Sequence, residues 1–402
     1  MSFLDSQIKY DPFIGDPVQS NHLRASVKVV IGGTDVTDKL DPHLISIRIL
    51  WPLGEKQAFL EIDDRDGRLP IPPIKTPITI SIGWQEEGYV EVFDGWTSDI
   101  EYGASRPEGR VMRVHCVVLS VKDEPKTPFQ NNWGEGAPDG QDVGEMIQFK
   151  TPAQEAAQHG NFKLDIHPRV AAINKDYWSQ NGESALQFLT RISEEQGAFF
   201  GADTRDHGYI TYACESPDGS MAPTTCTAIW GRNLIACRVR PWAARATWGG
   251  SNAQYYDYQL GQWKQLAKQF GFGLPQGSAK AIFSLPQPAP NRMEAEQQNI
   301  AAEQKASYET GDGRIIINGE PNARPNTFVH LQGVRPGVDG FYMITMAEHQ
   351  YSRQSGFITW LDVNTYRSFP DSANAANAPD PSNDWSQFPI NDATQNTGDN
   401  TG

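Results

Sequence analysis

The acidic segment DDRDG lies between two runs in which apolar and polar residues alternate. A calcium-binding EF-hand loop places carboxylates at positions 1, 3 and 5, glycine at 6 and a bidentate glutamate at 12. With Gly67 at position 6, Asp64 and Asp66 fall on ligand positions, but Ile62 and Pro73 occupy the first and last ones. Because two ligands are missing, the spacing argues against an EF-hand.

We instead expect a structural turn at the corner of a β-hairpin, formed by Asp63, Asp64, Asp66, Gly67 and Arg68. Aspartate side chains accept hydrogen bonds from the local backbone, and glycine tolerates positive φ. The flanking runs alternate with a period of two, which is typical of half-buried strands. The prolines that follow the turn favour an extended connection outside any central ladder.

Other acidic and catalytic patterns are weak. Glu194–Glu195 and Glu86–Glu87 are adjacent pairs that we expect at the solvated surface, since hydrolysis needs two carboxylates at a set separation. The chain has no GxSxG nucleophile motif, no Walker GxxxxGK[ST] loop and no strand-linked GxGxxG. We therefore expect no enzymatic activity and no cofactor.

Metal ligation has little support. His159 and His167 flank a strand-like segment that contains Asp165, but no HExxH or HxxEH motif accompanies them. Glu348 and His349 are neighbours on a predicted strand, so their side chains should point to opposite faces. The four cysteines form no CxxC pair, and we expect buried, reduced thiols.

One basic cluster interleaves arginine with tryptophan. Three interpretations remain open: a strand pair with a solvated arginine face, a protein interface, or a surface for nucleic acid or glycan. The candidate interface residues are Trp230, Arg232, Arg238, Arg240, Trp242, Arg245 and Trp248.

Charge and composition exclude several classes of protein. The 402 residues carry 34 basic and 49 acidic side chains, a formal net charge of −15. Such a chain is poorly suited to wrapping nucleic acid or lying on an anionic membrane. No apolar run approaches the ~18 residues of a membrane span, and no signal peptide is visible at the start. We expect a soluble product made in the cytoplasm, without a membrane anchor.

The pattern along the chain predicts a mainly β protein with an α+β insertion: two barrel-like β domains, a small α+β unit and a disordered C-terminal tail. In NGESALQFLTRISEEQGAFF, Ser184 and Gln187 have capping-box spacing, and Gly197 suits the position after a helix. Pro152 should interrupt an earlier helix. The predicted divisions are an arm at 1–22, a first barrel-like domain at 23–123, a linker and α+β domain at 124–224, a second barrel-like domain at 225–367 with a helix inserted at about 291–308, and a flexible tail at 368–402.

Three blocks of sequence resemble the phage late control D family, the baseplate hub proteins of tailed phages. They are DVTDKLDPHLISIRILWPLGEKQAFLEIDDRDGRLPIPPIKTPITISIGW, then NGESALQFLTRISEEQGAFF, and finally GEPNARPNTFVHLQGVRPGVDGFYMITMAEHQYSRQSGFITWLDV. They occur in the family's order, from about residue 26 to 365. The segment 250–290 is longer and more aromatic than the family pattern.

The resemblance implies a homotrimer in which two barrel-like domains per chain form a pseudo-sixfold ring. Such a ring adapts a sixfold tail tube to a threefold spike and lets DNA pass. The N-terminal part of type VI secretion spike proteins has the same architecture. The implied partners are the spike protein, the tail tube or a tube-initiator protein, and other baseplate proteins. The implied location is the virion tail baseplate, after assembly in the host cytoplasm.

Two alternatives remain. A hub fused to a peptidoglycan hydrolase would need a further compact domain, and the segment 250–290 is short for one. A glycan-binding module could use the aromatic cluster Tyr255, Tyr256, Tyr258 and Trp263.

Overall fold

The computed structural model describes residues 24–106, 109–134, 146–240, 248–270, 281–308 and 311–366. These residues lie mainly in β-strands, as the sequence predicts. The predicted N-terminal arm at 1–22 and tail at 368–402 lie outside the described residues. No helix among the described residues is both long and apolar enough to cross a membrane.

The first third of the chain forms strands around one short helix, α1 (Thr37–Leu40), and a 3₁₀ turn, Asp41–His43. Its strands are β1 (Ala25–Ile31), β2 (Thr34–Asp35), β3 (Leu44–Pro52), β4 (Gln57–Asp63), β5 (Pro77–Trp84), β6 (Gly88–Ser105) and β7 (Gly109–Val117).

An α+β unit follows, after a 3₁₀ turn at Glu124–Lys126. Its helices are α2 (Lys150–His159), α3 (Pro168–Ala171) and α4 (Ala185–Glu195). Its strands are β8 (Phe129–Trp133), β9 (Ile147–Gln148), β10 (Lys163–Ile166), β11 (Asn174–Lys175), β12 (Trp178–Glu183), β13 (Phe199–Thr204) and β14 (His207–Thr211).

The last part of the chain returns to strands, with one long helix, α5 (Arg292–Ser307), where the sequence predicts a helix at about 291–308. Its strands are β15 (Thr224–Ile229), β16 (Leu234–Arg240), β17 (Trp248–Asp257), β18 (Gln262–Gln269), β19 (Ala281–Ser284), β20 (Asp312–Asn318), β21 (Phe328–Gln332), β22 (Gly340–Ser352) and β23 (Gly356–Thr365).

The strands from both ends of the chain form one large sheet. Its order is β16-β20-β23-β22-β3-β4-β7-β6-β5-β1-β2, with β15 and β21 branching from β22. The antiparallel β3–β22 ladder joins the N-terminal strands to the C-terminal ones. Within the described ranges this path runs from β16 to β2 without closing on itself. The prediction of two barrel-like domains is therefore not confirmed at the level of strand pairing.

The hydrophobic core also crosses the predicted divisions. Ile47 and Ile49 of the large sheet belong to the same buried cluster as Phe188 and Leu189 of α4. A second cluster lies under the C-terminal strands and includes Ile315 and Leu361. The division of the chain at residues 123 and 224 stays a prediction, because the first β region and the α+β unit share one core.

The prediction that DDRDG turns a hairpin is wrong. Strand β4 pairs with β3 and β7, whereas β5 pairs with β1 and β6. The segment 64–76 therefore connects two strands that are not neighbours in the sheet. Its prolines suit this path, since a proline cannot donate to a ladder.

Helix boundaries follow local capping chemistry. The Ser184 hydroxyl accepts from the Gln187 amide and the Gln187 side chain accepts from the Ser184 amide, which confirms the capping box. Gly197, at φ +71°, follows α4 in the left-handed conformation. Pro152 does not break α2, contrary to the prediction, because the helix begins at Lys150 and proline is tolerated in a first turn.

Gly197 also sets how closely α5 approaches α4. A Cβ atom at this position would lie 2.5 Å from the Ala301 Cα and 2.9 Å from the Ala301 Cβ. Helix α5 in turn packs on the separate three-stranded sheet β18-β17-β19. The lack of a side chain at Gly197 therefore lets α5, and the sheet on which α5 packs, lie close to the α+β unit.

We predict that Gly197→Ala destabilises the protein more than Gly182→Ala. Both glycines have positive φ, at +71° and +68°, but a Cβ on Gly182 would meet nothing within 4 Å. We expect a loss of about 1 kcal/mol in the free energy of unfolding for Gly182→Ala, and about 3 kcal/mol for Gly197→Ala because overpacking adds to the strain. Urea unfolding of both variants measures the difference, and equal losses would contradict the close approach.

Candidate functional site

The acidic turn is organised around Asp64, which is 4% exposed. Its Oδ1 accepts hydrogen bonds from the amides of Arg68 (2.9 Å) and Leu69 (3.1 Å). Its Oδ2 accepts from the Tyr102 hydroxyl at 2.8 Å. Burial opposes ionisation, but the bond from Tyr102 and the backbone amides together hold the pKa of Asp64 below its ordinary value. The carboxylate therefore stabilises the turn by accepting hydrogen bonds from its backbone amides.

The other carboxylates of the turn point elsewhere. Asp63 pairs with Arg65, whose Nε lies 2.8 Å from Oδ2, and Asp66 is exposed. Gly67, at φ +65°, donates its amide to the Asp64 carbonyl at 2.8 Å. The part of the chain that the structure describes holds no group of three or more His, Cys, Asp or Glu side chains arranged to bind a metal. The arrangement stabilises a loop and leaves no converging set of ligands.

The arginines of β16 line an open cleft of about 700 Å³ at the end of the large sheet. Strand β16 pairs only with β20 among the described strands. Among the described residues, two cross-strand ion pairs lie along the cleft: Arg240 Nη2–Asp312 Oδ2 at 2.6 Å, and a bidentate Arg314–Asp362 pair at 2.5 and 3.0 Å. This end of the sheet thus combines an open strand edge with a row of charged side chains.

Arg238 differs from the other two arginines of this row in its surroundings. It lies directly opposite Arg314, whose guanidinium is already held by Asp362. Like charges directly opposite on neighbouring strands are destabilising. Arg238 is exposed, and no ion pair to it is found among the described residues. A carboxylate supplied by a partner would relieve this repulsion.

The structure does not gather the predicted arginine–tryptophan cluster into one patch. Arg232 and Trp230 are exposed in the turn before β16, with Trp230 62% exposed. Trp248 instead begins β17, in a different sheet, and contacts Phe283 with ring centroids 5.3 Å apart. Trp242 and Arg245 lie outside the described residues.

The predicted aromatic cluster of β17 and β18 is also divided. Tyr256 contacts Tyr258 and Trp263, with ring centroids at 5.0 and 5.3 Å. Tyr255 points to the opposite face, where it is buried in a cluster with Ala295 of α5. Strand alternation explains this separation, because adjacent residues face opposite sides of a sheet.

The histidines occupy separate sites. His159 stacks on Phe129, and His167 pairs with Glu215 at 2.8 Å. Asp165 instead contacts His207, at 3.1 Å. His207 also contacts Asp203 at 2.7 Å, and this bond raises the pKa of His207. Sequence analysis missed this contact because the pairing of β10 with β14, which brings Asp165 and His207 together, has no local sequence signal.

The four cysteines are free. Cys116, Cys214 and Cys226 are buried as predicted, whereas Cys237 is only half-buried, contrary to the prediction. Burial raises the pKa of Cys116 and Cys214, so the neutral thiol is favoured at both positions. These side chains fill space in the core and are poor nucleophiles.

Lys56 is a buried cation between the large sheet and the α+β unit. Its Nζ donates to the Val92 carbonyl at 3.0 Å and lies 3.5 Å from the centroid of the Trp51 ring. Burial lowers its pKa to about 8, although Asp203, Glu91 and Asp94 act in the opposite direction. Perturbed pKa values accompany functional sites, but also structural packing. The adjoining loop packs on β13, where the Ala202 amide donates to the Gly54 carbonyl at 3.2 Å. Lys56 therefore lies at a packed contact between the large sheet and the α+β unit, and its role is structural.

Two curated proteins are similar to the chain in sequence. The "probable baseplate hub protein" of Escherichia phage 186 is 20% identical over 178 residues, which cover 44% of this chain and 42% of the relative. The corresponding protein of Escherichia phage P2 is 22% identical over 172 residues, which cover 42% and 41%. The chain resembles phage baseplate hub proteins. The matches span less than half the length of these relatives, and no protein-family model matches the chain.

Solved structures show where the same fold occurs. The 43 kDa tail protein of prophage MuSo2 from Shewanella oneidensis has a TM-score of 0.62 at 13% identity, over 84% of this chain and 98% of that chain. The tail protein from Neisseria meningitidis MC58 has a TM-score of 0.60 at 14% identity, over 85% and 97%. The half-lidded Francisella PdpA–VgrG complex has a TM-score of 0.52 at 8% identity, over 86% and 59%. The chain therefore shares its fold with phage tail proteins and with a chain of the PdpA–VgrG complex.

We predict that Asp64→Ala lowers the midpoint of thermal unfolding by a few degrees, whereas Asp66→Ala leaves it nearly unchanged. Removing Asp64 leaves two backbone amides without their acceptor, while Asp66 is exposed. Differential scanning calorimetry with and without calcium measures both effects. A calcium-dependent rise in the midpoint, lost in Asp66→Ala, would contradict the structural role.

The pKa of Lys56 predicts a pH dependence of stability. The folded pKa is about 8 and the ordinary value is 10.5, so the unfolded chain binds more protons between these two values. The free energy of unfolding therefore rises with pH across this window, by about 2 kcal/mol between pH 8 and 9.5 relative to Lys56→Met. Urea titrations at both pH values test this, and identical pH dependence in the two proteins would exclude a depressed lysine pKa.

Proposed function

We propose that this chain is a structural baseplate hub of a phage tail or of a tail-like injection machine. The observation that carries the proposal is the sequence similarity to two probable baseplate hub proteins, on a chain whose fold is shared with phage tail proteins. The role is architectural, and we propose no enzymatic activity and no cofactor. The location is the tail baseplate of the virion, reached after assembly in the host cytoplasm.

The assembled form we propose is a homotrimeric ring that adapts the sixfold tail tube to the threefold spike. A closed ring with threefold symmetry needs two different patches on each subunit, because its contacts are head to tail. The two ends of the large sheet, β16 and β1–β2, are different in sequence and both are edges. They are suitable candidates for the two patches.

Charge supports this pairing of edges. Arg232, Arg238 and Arg240 are exposed at the β16 end. Asp35 and Asp38 are exposed at the β2 end. Complementary charges at the two ends would steer subunits into a head-to-tail arrangement and oppose other contacts. We therefore place the β16 end of one subunit against the β2 end of the next, where Asp35 and Asp38 lie beside Lys28 and Lys39.

The proposed ring would contact the spike protein on one side and the tail tube or a tube-initiator protein on the other, with other baseplate proteins around it. DNA would pass through its lumen transiently. The net charge of −15 fits this role, because a negatively charged lumen would not retain a polyanion. A lumen lined mainly by arginine and lysine would argue against DNA passage.

Native mass spectrometry of the purified chain, alone and with its candidate spike protein, tests the proposal. We expect a mass of three times 44.6 kDa, or a complex of three chains with three spike subunits. A chain that stays monomeric with both spike and tube proteins would contradict the trimeric hub.

Within the trimer, Arg238→Glu should weaken subunit association at least tenfold. A tenfold loss corresponds to ~1.4 kcal/mol, a modest change for reversing a charge at a complementary interface. Arg292→Glu, at an exposed arginine on α5, is the matched control and should leave association unchanged. Sedimentation at increasing concentration measures both, and equal behaviour would place the subunit contact elsewhere.

A further inference from the structure

The three-stranded sheet of β17, β18 and β19 has one covered face and one open face. Helix α5 covers the first, where Ala253 is fully buried and the Ser251 hydroxyl bonds the Asn299 Oδ1 at 2.7 Å. Strand alternation turns the intervening residues of β17 away from the helix. The open face is therefore built from side chains that contribute little to the packing of α5.

The described positions of the open face are neutral. The register places Asn252 beside Ala267, Gln254 beside Gln265 and Tyr256 beside Trp263, with Ser284 of β19 next to Asn252. None of these described positions carries a charged side chain. The lysines of β18 point to the α5 side, where Lys264 pairs with Asp257 at 2.7 Å and Lys268 with Glu303 at 2.9 Å. In a chain of net charge −15, this separation produces an uncharged surface of amides and aromatic rings.

The aromatic side chains at the end of this face are exposed and contact one another. Trp263 is 63% exposed and Tyr258 is 79% exposed. Tyr256 lies between them and meets both rings edge to face, at interplanar angles of 71° and 77°. The turn beneath them is fixed by Asp257, whose Oδ1 accepts from the amides of Gln259 (3.1 Å) and Leu260 (3.2 Å). The rings are thus presented on a defined turn.

The amide side chains supply the polar part of the surface. Asn252 Nδ2 donates to Gln265 Oε1 at 3.1 Å, which orients both groups. Gln254, the cross-strand neighbour of Gln265, is exposed. Planar amides can donate and accept at the same time, as sugar hydroxyl pairs also can. Aromatic faces pack against the apolar C–H faces of sugar rings.

We infer that the open face of the β17–β18–β19 sheet binds neutral oligosaccharides, with Trp263 and Tyr258 as stacking platforms and Gln254 and Gln265 as hydroxyl ligands. An anionic glycan or a nucleic acid would need cations, and the described positions of this face carry none. The inference does not depend on the hub proposal, because the face belongs to a single chain and can be tested on the monomer.

The test is isothermal titration calorimetry of the full chain with cellohexaose, maltohexaose and N-acetylchitohexaose, and with polygalacturonate as an anionic comparison. We expect at least one neutral hexasaccharide to bind, with an affinity that does not change between low and high salt. Trp263→Ala should weaken this binding at least tenfold. Tyr177→Ala is the control, since Tyr177 is 51% exposed on the α+β unit, and should bind as the parent does.

Four results would overturn the inference. The first is no heat of binding with any of the neutral hexasaccharides at millimolar concentration. The second is an equal loss in Tyr177→Ala and Trp263→Ala. The third is stronger binding to polygalacturonate. The fourth is loss of self-association in Trp263→Ala, which would make the face a subunit contact. Thermal unfolding of both variants verifies that they are folded.

Discussion

The ladder between β3 and β22 is the constraint on which the rest of the structure depends. It runs antiparallel from the Ser46–Ser352 pair to the Pro52–Met346 pair, and it joins strands that are about 300 residues apart in the chain. Ile47, Ile49, Ala347 and His349 along it are fully buried. Without this ladder the chain would have two separate sheets, and its two outer edges would have no fixed relation to each other.

Polar groups reinforce this joint from both faces. On one side, Arg48 and Glu348 form an ion pair at 2.7 Å. On the other, the buried His349 donates Nε2–H to the Ala323 carbonyl at 3.0 Å, and Nδ1 lies 3.3 Å from the Thr359 hydroxyl. Burial lowers the pKa of His349 to about 4, so the imidazole is neutral at physiological pH. The prediction that Glu348 and His349 face opposite sides is confirmed by these separate partners.

The local parts of this fold could be predicted from sequence, because the signals are local. Period-two alternation gives strands such as β4 and β5, and the Ser184–Gln187 pair and Gly197 mark the ends of α4. Strand partners could not be predicted in the same way, because the alternation in β4 is compatible with pairing to β5 or to β7. The sequence therefore predicts a hairpin at Asp64, although this turn begins a connection between two strands that are not neighbours, β4 and β5.

The candidate binding surfaces could also be predicted from sequence only in part. Residue types indicated that arginine and aromatic side chains were available for binding, but not which of them share a face. Trp230 and Trp248 fall in different sheets, and Tyr255 lies behind Tyr256 because it is one position away. The position of Arg238 opposite Arg314 depends on the register between β16 and β20, which involves residues more than 70 positions apart. Such features are set by tertiary pairing.

The proposed hub role requires that the two groups of strands behave as one rigid body. Hydrogen exchange measured by mass spectrometry over increasing urea tests this most directly. If the β3–β22 ladder joins them, the amides of residues 46–52 and 346–352 will exchange only by global unfolding, together with the strands on both sides. Exchange of these two segments at low urea, while the flanking strands remain protected, would contradict the account.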